Sequence, residues 1–150
     1  MTRYFLTIFY LTLINNCITT AQNGTQNNIH YGNLIVVITG LDNNEGTVHI
    51  ALVNSRYFFE SEDTTFQGVI VNINNFIAEY IFERIPFGEY AVKAYHDENS
   101  NNELDTNFLG IPDEDYGFSN NARGLFGPAD YDDAKFNFDK DGMIITIKLE

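Results

Sequence analysis

The sequence predicts an all-β protein that folds as an antiparallel β-sandwich of about seven strands. Short runs in which apolar and polar residues alternate recur along the chain, and turn-forming residues separate them. No segment shows the periodicity of a convincing amphipathic helix. Many short strands with turns between them are typical of a sandwich.

Seven runs carry the strand pattern. They are residues 34–41, 47–54, 68–73, 76–85, 90–96, 134–138 and 143–149. Alternation predicts which side chains face inward on two of them: Val48, Ile50 and Leu52, and then Tyr90, Val92 and Ala94. The first run is apolar on both faces, which predicts a strand that is covered on both sides.

Turn signals predict that neighbouring runs pair as hairpins. Residues 42–46, D-N-N-E-G, form a hairpin turn after the first run, and Asn74-Asn75 joins the third run to the fourth. Residues 139–142, D-K-D-G, close a C-terminal hairpin. Residues 85–88, I-P-F-G, fit a type I turn with proline second and glycine fourth.

The N-terminal segment predicts export. Residues 1–21 combine Arg3, an apolar run too short to span a bilayer and a small residue at Ala21, as in a signal peptide. Residues 22–32 are predicted to be a flexible leader, and residues 33–150 a single β-sandwich domain. The expected location is secreted, periplasmic or at the cell surface. Cys17 is compatible with a lipid anchor, although Asn15 and Asn16 before it fit a lipobox poorly. If the signal is cleaved after Ala21, the mature chain has no cysteine, and no disulfide is expected.

Composition limits the partners. The chain has 21 acidic and 8 basic residues and a net charge of −13. This charge argues against nucleic acid and anionic membranes, which require basic surfaces, and no further segment predicts stable membrane insertion. It favours cations or an unknown extracellular protein or glycan, although solubility alone also explains general surface acidity.

Residues 97–133 contain little strand signal but many apolar side chains. A connection of this length is unusual in a compact domain unless it is ordered. We predict a long, ordered acidic loop that covers one sheet, folding back over the uncovered face of the first strand. The apolar side chains expected to be buried there are Leu104, Phe108, Leu109, Ile111, Tyr116, Phe118, Leu125, Phe126 and Tyr131.

The start of this loop predicts a cation site. Oxygen-bearing side chains recur with the spacing of the calcium loop D-x-[DN]-x-[DN]-G-x₅-E. Asn102 replaces the glycine and is among the few residues that tolerate a left-handed turn, and Phe108 replaces the final glutamate. The candidate ligands of a weakly bound Ca²⁺ are Asp97, Asn99, Asn101, Glu103 through its carbonyl, Asp105, and Glu114 (or Asp113) folding back.

Two alternatives to calcium stay open. In the first, the Asp and Asn side chains form side-chain-to-backbone turns and bind no metal. In the second, His96 binds a transition metal such as Zn²⁺, with His49 approaching from another strand. For His96 itself, packing at the sandwich edge with a hydrogen bond to a loop carbonyl is the favoured interpretation.

Two motifs resemble known families. The run from His96, H-D-E-N-S-N-N-E-L-D-T-N-F-L-G-I-P, continues to G-F-S-N-N-A and resembles the bacterial domain of unknown function 2141 family. The resemblance covers residues 34–149 and implies a single extracytoplasmic β-sandwich without an established activity. The segment I-P-F-G-E-Y-A-V is similar to a turn of prealbumin-like and collagen-adhesin B-type sandwiches. The sandwich is expected to be prealbumin-like or immunoglobulin-like.

The function we expect is therefore a noncatalytic, cation-stabilised binding or structural module. The alternative is a hydrolase that acts on an extracellular polymer through paired acids, Asp113/Glu114 or Asp132/Asp133. Ser119 lacks the G-x-S-x-G context of a nucleophile. We interpret Ser119, Asn120 and Asn121 as hydrogen-bonding groups that close the loop.

Overall fold

A computed structural model describes residues 29–61, 65–125 and 127–150. The predicted signal peptide and residues 22–28 of the predicted leader lie outside these ranges. The strands are β1 Tyr31–Thr39, β2 Thr47–Val53, β3 Gln67–Asn72, β4 Ala78–Pro86, β5 Gly88–Asp97, β6 Tyr116–Phe118, β7 Phe136–Phe138 and β8 Met143–Lys148. Two one-turn helices, α1 Arg56–Glu60 and α2 Tyr131–Ala134, and a 3₁₀ turn, Ser119–Asn121, complete the described elements.

The strands form two sheets. One has the order β4-β1-β8, and the other has the order β3-β2-β5-β6 with β7 also paired to β5. The predicted β-sandwich architecture is confirmed. All pairs are antiparallel except β1 with β8, which run parallel from Leu34↔Met143 to Thr39↔Lys148.

The core lies between the two sheets, as alternation predicted. From β1, Leu34, Val36 and Ile38 point inward and are fully buried. The residues predicted to face inward on β2 and β5 are also buried: Val48, Ile50, Leu52, Tyr90, Val92 and Ala94. Each buried aliphatic side chain contributes roughly 1.5–3 kcal/mol, which makes this shared core the main source of stability.

The predicted hairpins are wrong. Residues 42–46 lead from β1 in the three-stranded sheet to β2 in the five-stranded sheet, and Asn74-Asn75 lead from β3 back to β4. Residues 139–142 connect β7, beside β5, to β8, beside β1. Turn-forming residues indicate that the chain reverses, but the same signal occurs whether the next strand joins the same sheet or the opposite one.

The expected cover over β1 is also absent from the described residues. Ile35 and Val37 on its outer face are partly exposed, beside Ile81 and Ile144, which are 44% and 60% exposed. Residues after β5 pack against the five-stranded sheet instead. The physical reason is that β5 has an edge with unpaired backbone groups, and β6 and β7 pair with it.

A second, smaller core forms where α1 and α2 meet the five-stranded sheet. Phe59 of α1 lies 5.4 Å from Phe118 and 5.6 Å from Tyr131, measured between ring centroids. This buries Phe118 and Tyr131 of the apolar segment. The predicted burial is wrong for five other side chains, which are 37%, 95%, 68%, 55% and 94% exposed: Leu104, Phe108, Leu109, Ile111 and Leu125. Phe126 lies outside the described residues. Beginning at Tyr31, β1 also includes two residues assigned to the leader.

Ser119 fills a gap along the edge of β5. Its Oγ accepts a hydrogen bond from the N–H of Val92 at 2.9 Å and donates one to the carbonyl of Ala134 at 2.5 Å. Val92 lies between the β7 pairing and the β6 pairing, so its N–H has no strand partner there. Asn121 accepts a bond from the N–H of Lys148 at 2.8 Å, and Asn120 donates to carbonyls of residues 133–135. The predicted loop-closing role of these three residues is confirmed.

Replacing Ser119 with alanine therefore tests this edge. Ser119→Ala leaves the buried N–H of Val92 unsatisfied and should lower the free energy of unfolding by about 1–3 kcal/mol. Urea denaturation measures the change, with Ser100→Ala at an exposed serine as the control. Equal midpoints for the two variants would show that the Ser119 bonds contribute nothing net.

Candidate binding groove and acidic loop

The acidic loop, residues 97–115, begins at a buried carboxylate. Asp97 ends β5, is fully buried, and accepts hydrogen bonds from the N–H groups of Asn101 at 3.0 Å and Asn102 at 2.9 Å. Its Oδ2 lies 3.2 Å from Nε2 of His49. Asn102 has a φ of 66°, which is the left-handed turn predicted at this position.

Two further candidate ligands, Asn99 and Asn101, lie against a third, Asp105. Asn99 and Asn101 donate their side-chain amides to its carboxylate at 2.5 Å and 3.1 Å. Their amide oxygens accept backbone N–H bonds from Asn101 at 2.9 Å and Glu103 at 2.7 Å. Turning either amide over would break these backbone bonds, so both amides present N–H and not oxygen to Asp105.

Glu114 folds back onto the loop, as predicted, but binds backbone. Its two carboxylate oxygens accept the N–H groups of Glu98 and Asp105, each at 3.0 Å, and the residue is 8% exposed. The Glu103 side chain is exposed and lines the groove described below. Asp97 and Glu114, at the two ends of the acidic loop, thus accept hydrogen bonds from backbone N–H groups of the loop that have no strand partner.

The arrangement can be compared with a cation site. The structure brings together Asp97, Asn99, Asn101 and Asp105, and directs Glu114 to the backbone. Within the described ranges, no three His, Cys, Asp or Glu side chains are grouped closely enough to hold a metal ion. The hydrogen bonds agree with the alternative in which Asp and Asn side chains form turns, and calcium binding stays a prediction.

The pKa of Asp97 lies below its ordinary value. Burial alone would raise it, but the N–H groups of Asn102 and Asn101 and the neighbouring His49 favour the charged form more strongly. The ionised carboxylate is therefore the form that the loop requires. By contrast, burial, together with Asp97, Glu114 and Glu103, raises the pKa of Tyr95 to about 12.

The two histidines of the zinc alternative face opposite sides of the sheet. His96 is fully buried, and its Nε2 lies 2.8 Å from the carbonyl oxygen of Glu45, the loop-carbonyl contact that was favoured. His49 points outward, where its ring stacks on Tyr95 at 4.6 Å. Val48 is the residue that pairs with His96, so His49, one position along, must lie on the other face. The zinc alternative in which His49 approaches His96 from another strand therefore does not fit this geometry.

The paired acids of the hydrolase alternative do not converge. Asp113 is exposed, whereas Glu114 is buried against backbone N–H groups. Asp132 forms ion pairs with Arg56 at 2.5 Å and Lys135 at 3.0 Å, and Asp133 is exposed. Neither pair presents an acid and a base to a common point, as glycoside hydrolysis requires.

A groove of about 1730 Å³ lies over the outer face of the five-stranded sheet, and sequence reasoning missed it. Its floor includes His49, Lys93 and Tyr95, and its far side includes residues 127–129. Its other wall is the tip of the acidic loop, with Leu104, Leu109 and Ile111. The apolar run L-G-I-P is the sequence signal for this wall, but its apolar side chains were predicted to lie in the interior.

The tip is held by its own turn. Oδ1 of Asn107 accepts the N–H groups of Leu109 at 2.9 Å and Ile111 at 3.2 Å, and the N–H of Gly110 bonds to the Asn107 carbonyl. Phe108, Leu109 and Ile111 are 95%, 68% and 55% exposed on this turn. The ordered turn therefore holds these apolar side chains exposed to solvent at the edge of the groove.

Comparison with known proteins identifies the family. The model of a family described as an uncharacterized protein conserved in bacteria (DUF2141) matches residues 36–146. The chain belongs to this family. No curated protein and no solved structure matches the chain. In this DUF2141 protein, none of the described helices is both long and apolar enough to cross a membrane.

Glu114 offers a direct test of how this DUF2141 protein orders its loop. Glu114→Gln replaces one acceptor oxygen with an N–H donor, so one buried N–H loses its partner. We expect a loss of about 1–3 kcal/mol and faster amide hydrogen exchange at Glu98 or Asp105. Asp113→Asn, at the exposed neighbour, is the control. Unchanged exchange in Glu114→Gln would mean that the loop is held elsewhere.

The low pKa of Asp97 predicts a pH dependence. A carboxyl group with a lowered pKa stabilises the fold above its unfolded pKa of about 3.9, and this stabilisation is lost as the pH falls through the folded value. Asp97→Asn should therefore be less stable than the native protein at neutral pH, with a difference that shrinks below about pH 4. Urea unfolding at several pH values measures it, and Glu79→Gln on β4 is the control. A difference that persists undiminished in acid would contradict this explanation.

Proposed function

We propose that this protein is a noncatalytic binding module of the bacterial cell envelope and that its ligand occupies the groove over the five-stranded sheet. The observation that carries the proposal is the loop tip, where Phe108, Leu109 and Ile111 are exposed on a turn closed by Asn107. Contiguous apolar side chains held in water favour a binding partner that covers them.

The hydrogen bonds that order this wall of the groove support a role in ligand binding. Asp97 and Glu114 order the base of the loop, and Asn107 orders its tip. A surface that is already ordered loses less conformational entropy when a ligand binds. The floor is also fixed, because Lys93 donates to the carbonyls of Phe59 at 3.0 Å and Ser61 at 2.7 Å.

The chemistry of the lining favours a protein segment with apolar and basic side chains. Leu104, Leu109 and Ile111 supply apolar contacts, while Glu60 and Glu103 supply negative charge. The net charge of −13 attracts a basic partner over long range. A glycan that stacks on Tyr95 is the competing ligand class. The N-terminal signal pattern supports placement of the module outside the cytoplasm.

Binding can be tested by NMR titration of the purified protein with two probes. One is a synthetic peptide that alternates lysine and phenylalanine, and the other is chitotetraose. We expect the peptide to shift the amides of His49, Lys93 and Tyr95 and to bind about fivefold or more weakly to Ile111→Ser. Ile144→Ser is the matched control, since Ile144 is 60% exposed on the opposite sheet and Ile111 is 55% exposed.

Each result of this titration decides the proposal. Peptide shifts at the groove that weaken only in Ile111→Ser support it. Equal binding to both variants, or shifts confined to the face of β1, would place the ligand elsewhere. Binding of chitotetraose without the peptide would replace the protein ligand with a carbohydrate.

We also propose that the acidic loop binds Ca²⁺ weakly, through Asp97, Asn99, Asn101 and Asp105. Their proximity and the negative charge of the chain support this, although both amides would have to exchange hydrogen bonds for metal contacts. A Ca²⁺ concentration ten times Kd would add about 1.4 kcal/mol to stability.

A thermal melt in EDTA and then in millimolar Ca²⁺ measures that gain. We expect the melting temperature to rise by a few degrees in the native protein and not in Asp105→Ala. Asp139→Ala, in the distant β7–β8 connection, is the control. The absence of a shift in the native protein would end the calcium proposal and leave a loop that its own hydrogen bonds order.

A further inference from the structure

His96 carries a buried nitrogen with no hydrogen-bond partner. Its side chain is fully buried, and Nε2 lies 2.8 Å from the Glu45 carbonyl. A carbonyl only accepts, so Nε2 carries the proton and Nδ1 of the neutral ring has a free lone pair. Among residues 29–61, 65–125 and 127–150, Nδ1 of His96 is the single buried side-chain nitrogen or oxygen without a partner.

The unpartnered nitrogen faces a carboxylate. Oε1 of Glu98 lies 3.7 Å from Nδ1, beyond hydrogen-bond distance. Asn43 donates its side-chain amide to the same oxygen at 3.3 Å. Glu98 is about half exposed, so its carboxylate lies at the boundary between the buried His96 ring and solvent.

A second carboxylate comes from the neighbouring strand. The N–H of His96 donates to the carbonyl of Asp115 at 2.8 Å, which continues the antiparallel register of Tyr95 with Tyr116. Residues opposite each other in this register place their side chains on the same face of the sheet. Asp115 and His96 therefore share a face at the end of the sandwich, and Asp115 is partly exposed.

Negative charge accumulates at this end of the molecule. Burial, together with the carboxylates of Asp42, Glu98 and Glu150, raises the pKa of Asp115, while His96 acts in the opposite direction. Glu150 is paired with Arg123 at 3.2 Å and with Lys148 at 3.1 Å, so among the described residues Asp42 and Glu98 are the neighbouring carboxylates whose charge no lysine or arginine ion pair offsets. A divalent cation would relieve the repulsion between these carboxylates.

We propose that Nδ1 of His96, with the carboxylates of Glu98 and Asp115, binds a divalent first-row transition metal ion such as Zn²⁺. Such an ion lies roughly 2.0–2.2 Å from an imidazole nitrogen or a carboxylate oxygen, so one ion spans two donors that are 3.7 Å apart. The bond from Nε2 to the Glu45 carbonyl is the outer contact that orients a metal-binding histidine.

This site is distinct from the calcium prediction. Ca²⁺ takes oxygen ligands, whereas an imidazole nitrogen selects transition metals. It also excludes His49 and Asp97, which lie together on the other side of β5. Since no three acids or histidines of the described residues already lie at metal-binding separation, Asp115 has to turn toward Nδ1 when the ion binds, and water completes the coordination.

Zinc titration of the purified, tag-free protein tests the site. We expect one saturable Zn²⁺ per chain by calorimetry, with Glu98→Gln and Asp115→Asn each weakening it by about tenfold or more. Glu103→Gln and Asp113→Asn, at exposed acids of the same loop, are the matched controls and should bind like the native protein. Binding should weaken as the pH falls, because the ligand nitrogen must be unprotonated.

NMR of the histidine rings in the native protein tests the nitrogen donor directly and requires no substitution of the buried His96. In the native protein, Zn²⁺ should shift Nδ1 of His96 and leave His30 and His49 unchanged, and excess Ca²⁺ should not reverse the shift. Loss of binding in His49→Asn, displacement by Ca²⁺, or equal affinity in all four acid variants would overturn the proposal. The absence of saturable binding at millimolar Zn²⁺ would also overturn it.

Discussion

The packing of β5 against the three-stranded sheet determines where every candidate functional group lies. One face of this strand enters the core through Tyr90, Val92 and Ala94. Alternation then forces Lys93 and Tyr95 to the outer face, at the floor of the groove. Burying the apolar face is what prevents the strand from rotating, since a slip by one residue would exchange the two faces.

The same alternation separates two kinds of polar chemistry at the end of β5. His96 continues the inward series and reaches the loop that carries Glu45. Gly46, which follows Glu45, has a φ of 66° and lies against the Asp97 backbone with no room for a Cβ, so the two loops approach closely. Asp97 points the opposite way, toward His49 and the acidic loop. His96 therefore places its ring nitrogens in the interior, while the next residue, Asp97, orders the acidic loop on the opposite face.

Hydrogen-bond satisfaction explains how a long connection stays ordered without strands. Backbone N–H groups that lack water need acceptors, and a carboxylate supplies several. Asp97 and Glu114 each accept two such bonds, and Ser119 accepts another where β5 has no strand partner. Asp97 and Glu114 therefore have a structural role in the loop. Their spacing in the sequence is compatible with this role and also with a cation site.

The sequence by itself determined the local properties: the strands, their inward faces, the left-handed turn at Asn102 and the loop-closing role of Ser119. These follow from periodicity and from side chains that bond to nearby backbone. Only the tertiary structure decided which strands pair, that β1 and β8 run parallel, and that His49 and His96 lie on opposite faces. Strand pairing depends on how distant segments share one core and on which edge of β5 lacks partners. The pattern of apolar and polar residues within one strand does not depend on which strand it pairs with, so it does not predict the pairing.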